Sequence, residues 1–184
     1  EWLFVEIDAT AKAIAQYLHP DAIIYGSNTQ QQIGFEHTDI PKDSFDLIVS
    51  NFPFGVTPPF DPNYQKVAKT LHNYFWAKSL ALTAPGGLIA SITSVGTMDS
   101  TPEFCQYLAS MGARLIGAVR LPNTAFKCMN TAVTADLIIL QKMNEPQNTI
   151  NWGEVVDSPI KDGYDVPLKI NRYFIENPQK VLGQ

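Results

Sequence analysis

The sequence has few cysteines, fewer basic than acidic residues and no long apolar run. Each of these shortages excludes a class of protein. Two cysteines, Cys105 and Cys128, in 184 residues are too few for a disulfide framework. We therefore expect free thiols and a reducing, cytoplasmic location. Because no apolar run reaches the roughly 18 residues that a membrane span needs, we expect no membrane partner.

Basic residues are outnumbered in this chain. Lysine and arginine total 13 against 18 aspartates and glutamates, which gives a net charge of −5. Phosphate contacts require cations, so this balance excludes a surface devoted as a whole to nucleic acid. If the chain acts on DNA, we expect most of the backbone contacts to come from other parts of a longer protein. The three histidines lack metal-ligand spacing, so no metal site is predicted.

Apolar runs alternate with helical patterns along the chain, which predicts an α/β fold with a mostly parallel sheet and flanking helices. The predicted strands are 3–7, 22–25, 46–50, 88–92, 115–120 and 133–141. One predicted helix spans 9–18, with Asp8 as its cap and an apolar face formed by Ala11, Ile14, Ala15 and Leu18. The others span 65–82 and, behind a capping box of Ser100 and Glu103, about 101–111. We expect Pro85-Gly86-Gly87 to form a turn, residues 1–143 to form the core, and residues 144–184 to be an extension or linker.

The strongest chemical signal is Asn51-Phe52-Pro53-Phe54, which directly follows a buried strand. Ligands of open α/β sheets bind at the carboxyl ends of strands, so these four residues lie where chemistry is expected. The side-chain carbonyl of Asn51 and the backbone carbonyl of Phe52 can accept hydrogen bonds from both N–H groups of a planar amine. Pro53 would stiffen the turn, and Phe54 offers a ring on which a flipped base can stack. In isolation, the same tetrapeptide also fits a turn cap followed by core aromatics.

The tetrapeptide resembles the Asn-Pro-Pro-Tyr/Phe motif of adenine-N6 DNA methyltransferases, with Phe52 in place of the first proline. The chain is most similar to the helicase–methylase polypeptides carried by bacterial mobile elements. The shared stretches, in order, are Gly34-Phe35-Glu36, Ser44-Phe45-Asp46, His72-Asn73-Tyr74-Phe75, Ala77-Lys78-Ser79-Leu80, Pro85-Gly86-Gly87, Ile92-Thr93-Ser94, Gly96-Thr97-Met98-Asp99, Arg120 to Phe126, Asp136 to Lys142, Asn171, Tyr173-Phe174 and Asn177-Pro178.

This resemblance implies a class I, Rossmann-like methyltransferase fold whose last core strand is antiparallel. It also implies S-adenosylmethionine as cofactor, adenine in DNA as substrate, and a helicase domain in the same polypeptide. Glu6 would accept from the cofactor's ribose hydroxyls, while Phe35 and Glu36 would bind its adenine, with Asp39 as a rival acid. Phe126 would pack on the flipped base opposite Phe54. The biological setting would be restriction-modification or the maintenance of a mobile element.

The first strand and the Gly-rich cofactor turn of class I methyltransferases have no counterpart in the sequence. We expect the absent strand to belong between strands 3–7 and 46–50, so that each keeps an unpaired edge. An isolated fragment would then bind cofactor weakly, lack activity and have a tendency to self-associate. Two alternatives to a DNA enzyme stay open: a protein glutamine-N5 methyltransferase, or a degenerate domain that only binds DNA or a partner. We expect His72, on a helix, to be a structural residue with its hydrogen bonds made.

Overall fold

The computed structural model describes residues 1–27, 34–147, 150, 152–158 and 168–182. The chain forms two compact units. The first consists of Glu1–Pro41 with Pro59–Asp61, and the second of Lys42–Pro58 with Pro62–Gln184. This division rests on compactness alone, and the boundary between core and extension at residue 143 stays a prediction.

The first unit is a β-α-β motif. Strand β1 (Leu3–Glu6) pairs in parallel with β2 (Ile23–Gly26), and helix α1 (Ala9–Leu18) connects them. Asp8 caps α1 as predicted, because its carboxylate accepts the N–H of Ala11 at 2.7 Å. The predicted helix is confirmed, but its apolar face is not buried: α1 has no buried residue, and Ile14 and Leu18 are 55% and 63% exposed.

The second unit contains a four-stranded sheet in the order β3-β4-β6-β5. Its strands are β3 (Phe45–Asn51), β4 (Thr83–Ser94), β5 (Ala113–Leu121) and β6 (Ala135–Lys142). Strands β3 and β4 are parallel, whereas β6 is antiparallel to both of its neighbours, β4 and β5. Strands β3, β4 and β5 thus run one way and β6 runs the other. The predicted α/β fold, with a mostly parallel sheet and a reversed last core strand, is confirmed.

Helix α2 (Leu71–Leu82) packs against β4 and is enclosed on nearly every side. The predicted start at residue 65 is wrong, because the Thr70 hydroxyl caps the helix by accepting from the N–H of Asn73. Short helix α3 (Gly96–Asp99) precedes α4 (Pro102–Ser110), and α4 is preceded by Thr101 rather than by the predicted Ser100 capping box. The Thr101 hydroxyl donates to the Thr97 carbonyl at 2.9 Å, which joins α3 to α4.

The stretch Pro85-Gly86-Gly87, predicted as a turn, lies within β4 as an irregularity of the strand. Phe45 of β3 pairs with Thr83, whereas Leu47 pairs with Leu88, so β4 carries additional residues between these two pairs. Gly86 has φ +86°, a left-handed conformation that suits glycine at this bulge. The bulge lets β4 begin five residues earlier than the apolar pattern predicts.

The C-terminal part forms β7 (Val155–Asp157), β8 (Lys169–Asn171) and helix α5 (Arg172–Glu176), with β7 and β8 paired antiparallel. A short bridge joins Val181 to Arg120 of β5. This part of the chain therefore returns to the edge of the main sheet. The longest helix in the described ranges, α2, has 12 residues, and none there can cross a bilayer.

Strands β1 and β3 each pair on one side only among the described residues. Leu47 and Val49 of β3 are 49% and 67% exposed, although strands of α/β sheets are commonly covered on both faces. The unpaired edges agree with the expectation from the sequence. The absent strand and self-association through these edges stay predictions.

Candidate functional site

The second unit contains a cavity of about 250 Å³ at the carboxyl end of β3. The cavity is lined by residues 51–54 and by Phe126 with its neighbours Met129, Thr131 and Val133. Its volume lies just below the roughly 300 to 1,000 Å³ of typical drug-sized pockets, which suits one small planar group. The structure thus brings together the tetrapeptide and the aromatic residue that the sequence predicts on opposite sides of a base.

Pairing with β4 and anchoring of Phe52 hold the tetrapeptide at the tip of β3. Asn51 is in register with Ile92 of β4, and the N–H of Phe52 donates to the Ile92 carbonyl at 2.9 Å. The Phe52 ring is only 2% exposed and packs edge-on against Trp76, with centroids 5.0 Å apart. Phe52 therefore anchors the turn through its side chain, which leaves its backbone to border the cavity.

Two hydrogen-bond acceptors at the tip of β3 are unused in the described structure. The Asn51 side chain is exposed and lines the cavity, and no hydrogen bond there involves its amide or the Phe52 carbonyl. A carbonyl and an amide oxygen on successive residues can accept from the two N–H groups of one amine. The tip of β3 therefore has the chemical means to orient such an amine.

Phe54 lines the cavity, and its ring packs against the ring of the buried residue His72. The Phe54 side chain is 41% exposed, and its ring meets that of His72 edge to face, with centroids 6.4 Å apart. Burial lowers the pKa of His72, which favours the neutral imidazole. His72 Nε2 lies 3.0 Å from the Thr70 hydroxyl, but Nδ1 has no partner in the described structure. The expectation that all hydrogen bonds of His72 are made is therefore wrong for Nδ1.

Phe126 is presented by loop 122–134, which connects β5 to β6. A 3-10 turn at Lys127–Met129 follows Phe126 and ends at Asn130, whose φ of 54° is left-handed. Met129 beside it is 72% exposed. The loop therefore adds an aromatic and a thioether side chain to the lining of the cavity.

The residues predicted to hold the cofactor all lie in the first unit. Glu6 ends β1, and its Oε1 accepts the N–H of Asp8 at 2.8 Å. Phe35 and Glu36 form a 3-10 turn with His37, whose Nδ1 lies 3.3 Å from Glu36 Oε1. The Glu36 side chain is 19% exposed, whereas the rival Asp39 is an exposed residue. The roles of Glu6, Phe35 and Glu36 stay predictions.

A buried ionic cluster near the root of loop 122–134 was not predicted from the sequence. Arg120 of β5 lies 2.9 Å from both Asp136 of β6 and Asp99 of α3. Burial alone would lower the pKa of Arg120, but hydrogen bonds and charges from the two aspartates raise it, so the guanidinium stays charged. The signal in the sequence is Asp136, a lone acid directly before the apolar run Leu137-Ile138-Ile139-Leu140.

A network of neutral polar side chains that joins α2, α3 and β4 was also not predicted from the sequence. Thr97 of α3 donates to the Asn73 side chain of α2 at 3.2 Å and lies 3.1 Å from the Thr93 hydroxyl of β4. Asn73 in turn donates to Thr101. Because these buried groups satisfy one another across three elements, they fix the end of β4 beside the cavity-bearing strand. The sequence gives no signal for this network, because its members come together only when α2, α3 and β4 pack against one another.

The two cysteines are free thiols, as predicted. Cys105 is buried, and burial together with nearby acids raises its pKa to about 12, so the thiol stays protonated and unreactive. Cys128 is exposed in the 3-10 turn that follows Phe126.

Comparison with known proteins identifies one curated relative. Defense against restriction protein B of Escherichia phage P1 is 29% identical over 141 residues, which is 74% of this chain but 6% of the phage protein. No protein-family model matches the chain.

Solved structures resemble the chain over most of its length. A modification subunit of a type I restriction enzyme from Vibrio vulnificus matches with a TM-score of 0.61 and 17% identity, over 99% of this chain and 42% of that one. The M protein of the type I restriction enzyme EcoKI matches with a TM-score of 0.59 and 14% identity, over 94% of this chain and 39% of that one.

A third structure, described as a class I S-adenosylmethionine-dependent methyltransferase from Listeria monocytogenes, matches with a TM-score of 0.56 and 17% identity, over 80% of this chain and 47% of that one. These likenesses show that the chain has the class I methyltransferase fold. The chain spans less than half the length of each of these proteins.

Proposed function

We propose that this chain is the catalytic part of an S-adenosylmethionine-dependent DNA methyltransferase that modifies the N6 amine of adenine. The observation that carries the proposal is the cavity at the tip of β3, where two oxygen acceptors without partners among the described residues adjoin two aromatic rings. The likeness in fold to modification subunits of restriction enzymes supports it.

The proposed chemistry begins with the poor nucleophilicity of adenine's amine, whose lone pair is delocalised into the ring. Asn51 and the Phe52 carbonyl accept its two N–H groups, and this favours the tetrahedral geometry that the nitrogen needs for attack. S-adenosylmethionine, when bound, would supply the electrophilic methyl group and leave as S-adenosylhomocysteine, and the proton lost from the methylated nitrogen would pass to solvent. Positioning and acceptor geometry then account for most of the rate enhancement, with no general base among the four residues.

Phe54 and Phe126 hold the base. Both rings line the same cavity, and His72 supports Phe54 from behind, so a planar base can stack against a fixed surface. Stacking of a base on an aromatic side chain contributes about 1 to 3 kcal/mol. That amount offsets part of the few kcal/mol needed to extrude a nucleotide from a duplex.

The cofactor residues are chemically suited to their proposed roles. The Glu6 carboxylate is half-buried at the carboxyl end of a parallel strand, and one of its oxygens already accepts a backbone N–H. A carboxylate has further lone pairs for two ribose hydroxyls. Glu36 would accept the amine of the cofactor's adenine, beside the ring of Phe35.

We further propose that other parts of a longer polypeptide contact DNA, since this chain carries a net charge of −5. A helicase domain would belong to that polypeptide, which would act in the cytoplasm. The name of the phage P1 relative refers to defence against restriction, which supports a setting in restriction-modification or in a mobile element.

The test is a methyl-transfer assay with the full-length protein, adenine-containing duplex DNA and labelled cofactor. Asn51→Ala removes one acceptor, and we expect kcat to fall about 100- to 1,000-fold. Asn144→Ala, which changes an exposed asparagine just after β6, is the matched control. Activity of Asn51→Ala within about threefold of wild type would contradict the mechanism.

The same assay separates the alternatives. Transfer to a glutamine-containing peptide, with none to DNA, would indicate the glutamine enzyme. A full-length protein that binds DNA but transfers no methyl group to either substrate would indicate a non-catalytic domain.

A further inference from the structure

Arg120 lies near the end of β5, two residues before the loop that carries Phe126 begins. Its Nε and Nη2 atoms donate to the two carboxylate oxygens of Asp136, both at 2.9 Å. Nη2 also lies 2.9 Å from an oxygen of Asp99. The Arg120 side chain is 11% exposed and that of Asp136 is fully enclosed, so water competes little with this pairing. A guanidinium in this bidentate geometry is held in position and not only neutralised.

The C-terminal segment, residues 168–182, contacts the same stretch of β5 at three points. The Tyr173 hydroxyl accepts the N–H of Ala118 at 3.1 Å. The Phe174 ring lies against the guanidinium of Arg120, with Cζ 4.2 Å from its centroid. The N–H of Leu182 donates to the Arg120 carbonyl at 2.9 Å. The segment therefore contacts both the backbone and the side chain of Arg120.

Asn171 fixes the other end of this segment. Its backbone N–H donates to Asp99 at 2.8 Å, the same aspartate that holds Arg120. Its side-chain amide donates to the carbonyls of Met98 at 3.0 Å and Trp152 at 2.8 Å. Asn171 is completely buried, so loss of these bonds would leave polar groups unsatisfied.

The ionic pair spans the root of loop 122–134. Arg120 and Asp136 are direct partners across β5 and β6, and they stand immediately before and after the stretch from Leu121 to Ala135. Thr93 of β4 is the next partner of Asp136, one residue beyond Ile92, which is in register with Asn51. Arg120 and Asp136 thus lie in the row of paired residues directly after the row that contains Asn51.

The loop must reach across the sheet from this root. The strand order places β4 between β6 and β3, so Phe126 reaches the tip of β3 across about two strand spacings, roughly 10 Å. The backbone hydrogen bonds of the loop run between its own residues, such as Lys127 to Thr124 and Met129 to Phe126. A change of angle at the root would therefore move the whole loop, and Phe126 with it.

We infer that Arg120 is a positioning residue. Through Arg120, the C-terminal segment holds loop 122–134, and with it Phe126, over the cavity at the tip of β3. This inference rests on the proposed function insofar as Phe126 contacts the substrate base. The pairing itself is independent of that function, because it concerns only how β5, β6, Asp99 and the C-terminal segment fix the loop.

The test combines hydrogen exchange on this chain with kinetics on the full-length protein. Arg120→Lys keeps the charge but replaces the planar fork by a compact ammonium, which cannot contact both aspartates in the same way. We expect amide exchange in residues 122–134 to accelerate about tenfold, with little change in α2. Arg114→Lys is the matched control, because Arg114 lies on the same strand and its side chain donates an exposed hydrogen bond to Gln141, its one side-chain partner among the described residues.

The kinetic readout separates positioning from general damage. We expect Arg120→Lys to raise KM for DNA about tenfold while kcat changes less than about threefold, because binding of the base is weakened more than its chemistry. Phe174→Leu removes the ring beside the guanidinium and leaves the ion pair in place. It should accelerate exchange in the same loop by about threefold, and it provides the test if Arg120→Lys does not fold.

Unchanged exchange in 122–134 for a folded Arg120→Lys protein, or for Phe174→Leu if Arg120→Lys fails to fold, would overturn the inference. Equal acceleration in Arg114→Lys would do the same. Failure of the proposed function looks different: Asn51→Ala would leave methyl transfer intact, whereas exchange in the loop would still respond to Arg120.

Discussion

Helices α1 and α2 each come after a parallel strand in the chain, yet they differ sharply in how many of their residues are buried. None of the ten residues of α1 is buried, whereas ten of the twelve residues of α2 are. Among the described residues, every buried hydrophobic side chain belongs to the second unit. In the described part of the chain, the unit that contains the cavity at the tip of β3 therefore has a hydrophobic core, and the unit that contains Glu6, Phe35 and Glu36 does not.

This difference teaches that an apolar pattern indicates what a helix can bury but not whether a partner is present. Ile14 and Leu18 have the spacing of a core-facing stripe, and both are more than half exposed. Trp76 of α2 is completely buried, although α2 shows no clean amphipathic stripe. A helix enclosed on most sides contributes to stability through total contact rather than through one face.

The largest expected effect tests that contrast directly. Trp76→Ala should lower the free energy of unfolding by about 3 to 5 kcal/mol, because it empties a large core site next to Phe52. Ile14→Ala should change it by less than about 0.5 kcal/mol, because Ile14 is solvent-exposed. Urea unfolding followed by circular dichroism measures both values. Similar losses for the two variants would show that the first unit has a core after all.

A second experiment tests the first unit, which contains the residues predicted to bind the cofactor. Titration of this 184-residue chain with S-adenosylmethionine in a calorimeter should give no dissociation constant in the micromolar range or tighter. The reason is that the sequence has no Gly-x-Gly after its first strand, where such a turn would let the backbone approach the methionine part of the cofactor. The full-length protein, titrated in the same way, is the control. Micromolar binding by this chain would contradict the expectation that it binds the cofactor weakly.

The smallest expected effect is the pH dependence of stability that comes from His72, the residue that packs against Phe54. Burial lowers the pKa of His72 below its ordinary value of 6.5, so the unfolded chain takes up a proton that the folded chain resists. The stability due to the neutral, buried ring is therefore present near pH 7.5 and declines as the pH falls through 6.5 towards the lower folded value.

The measurement compares urea unfolding at pH 7.5 and pH 5.5 in wild type, His72→Gln and His37→Gln. We expect the pH dependence to be shallower in His72→Gln, which cannot titrate. His37→Gln is the matched control, because it makes the same substitution at a histidine whose side chain is 64% exposed. A wild-type slope unchanged by His72→Gln would contradict the expected coupling.

The candidate site was predictable where its residues act through local sequence. Asn51 to Phe54 directly follow an apolar strand, and the carboxyl end of such a strand is fixed by the α/β rules. Asp8 was predictable as a cap for the same local reason. Phe126 came from resemblance to a family, and the structure places it on the cavity that those four residues line. The role of each residue stays a prediction.

Other features depend on partners distant in sequence. The bulge at Gly86 depends on the pairing of β4 with β3. Arg120, Asp136 and Asp99 form one cluster only after three elements have packed together.

The sequence by itself determined the alternation of strands and helices, the position of the Asn51–Phe54 tetrapeptide at the end of a strand and the cap of α1. Each depends on neighbours within a few residues, where backbone preferences and hydrophobic period dominate. The tertiary structure decided which helix is enclosed, which histidine supports Phe54 and how Arg120 joins the loop to the C-terminal segment. These depend on burial and ion pairing between residues far apart in the chain, whose energies exist only once water has been removed.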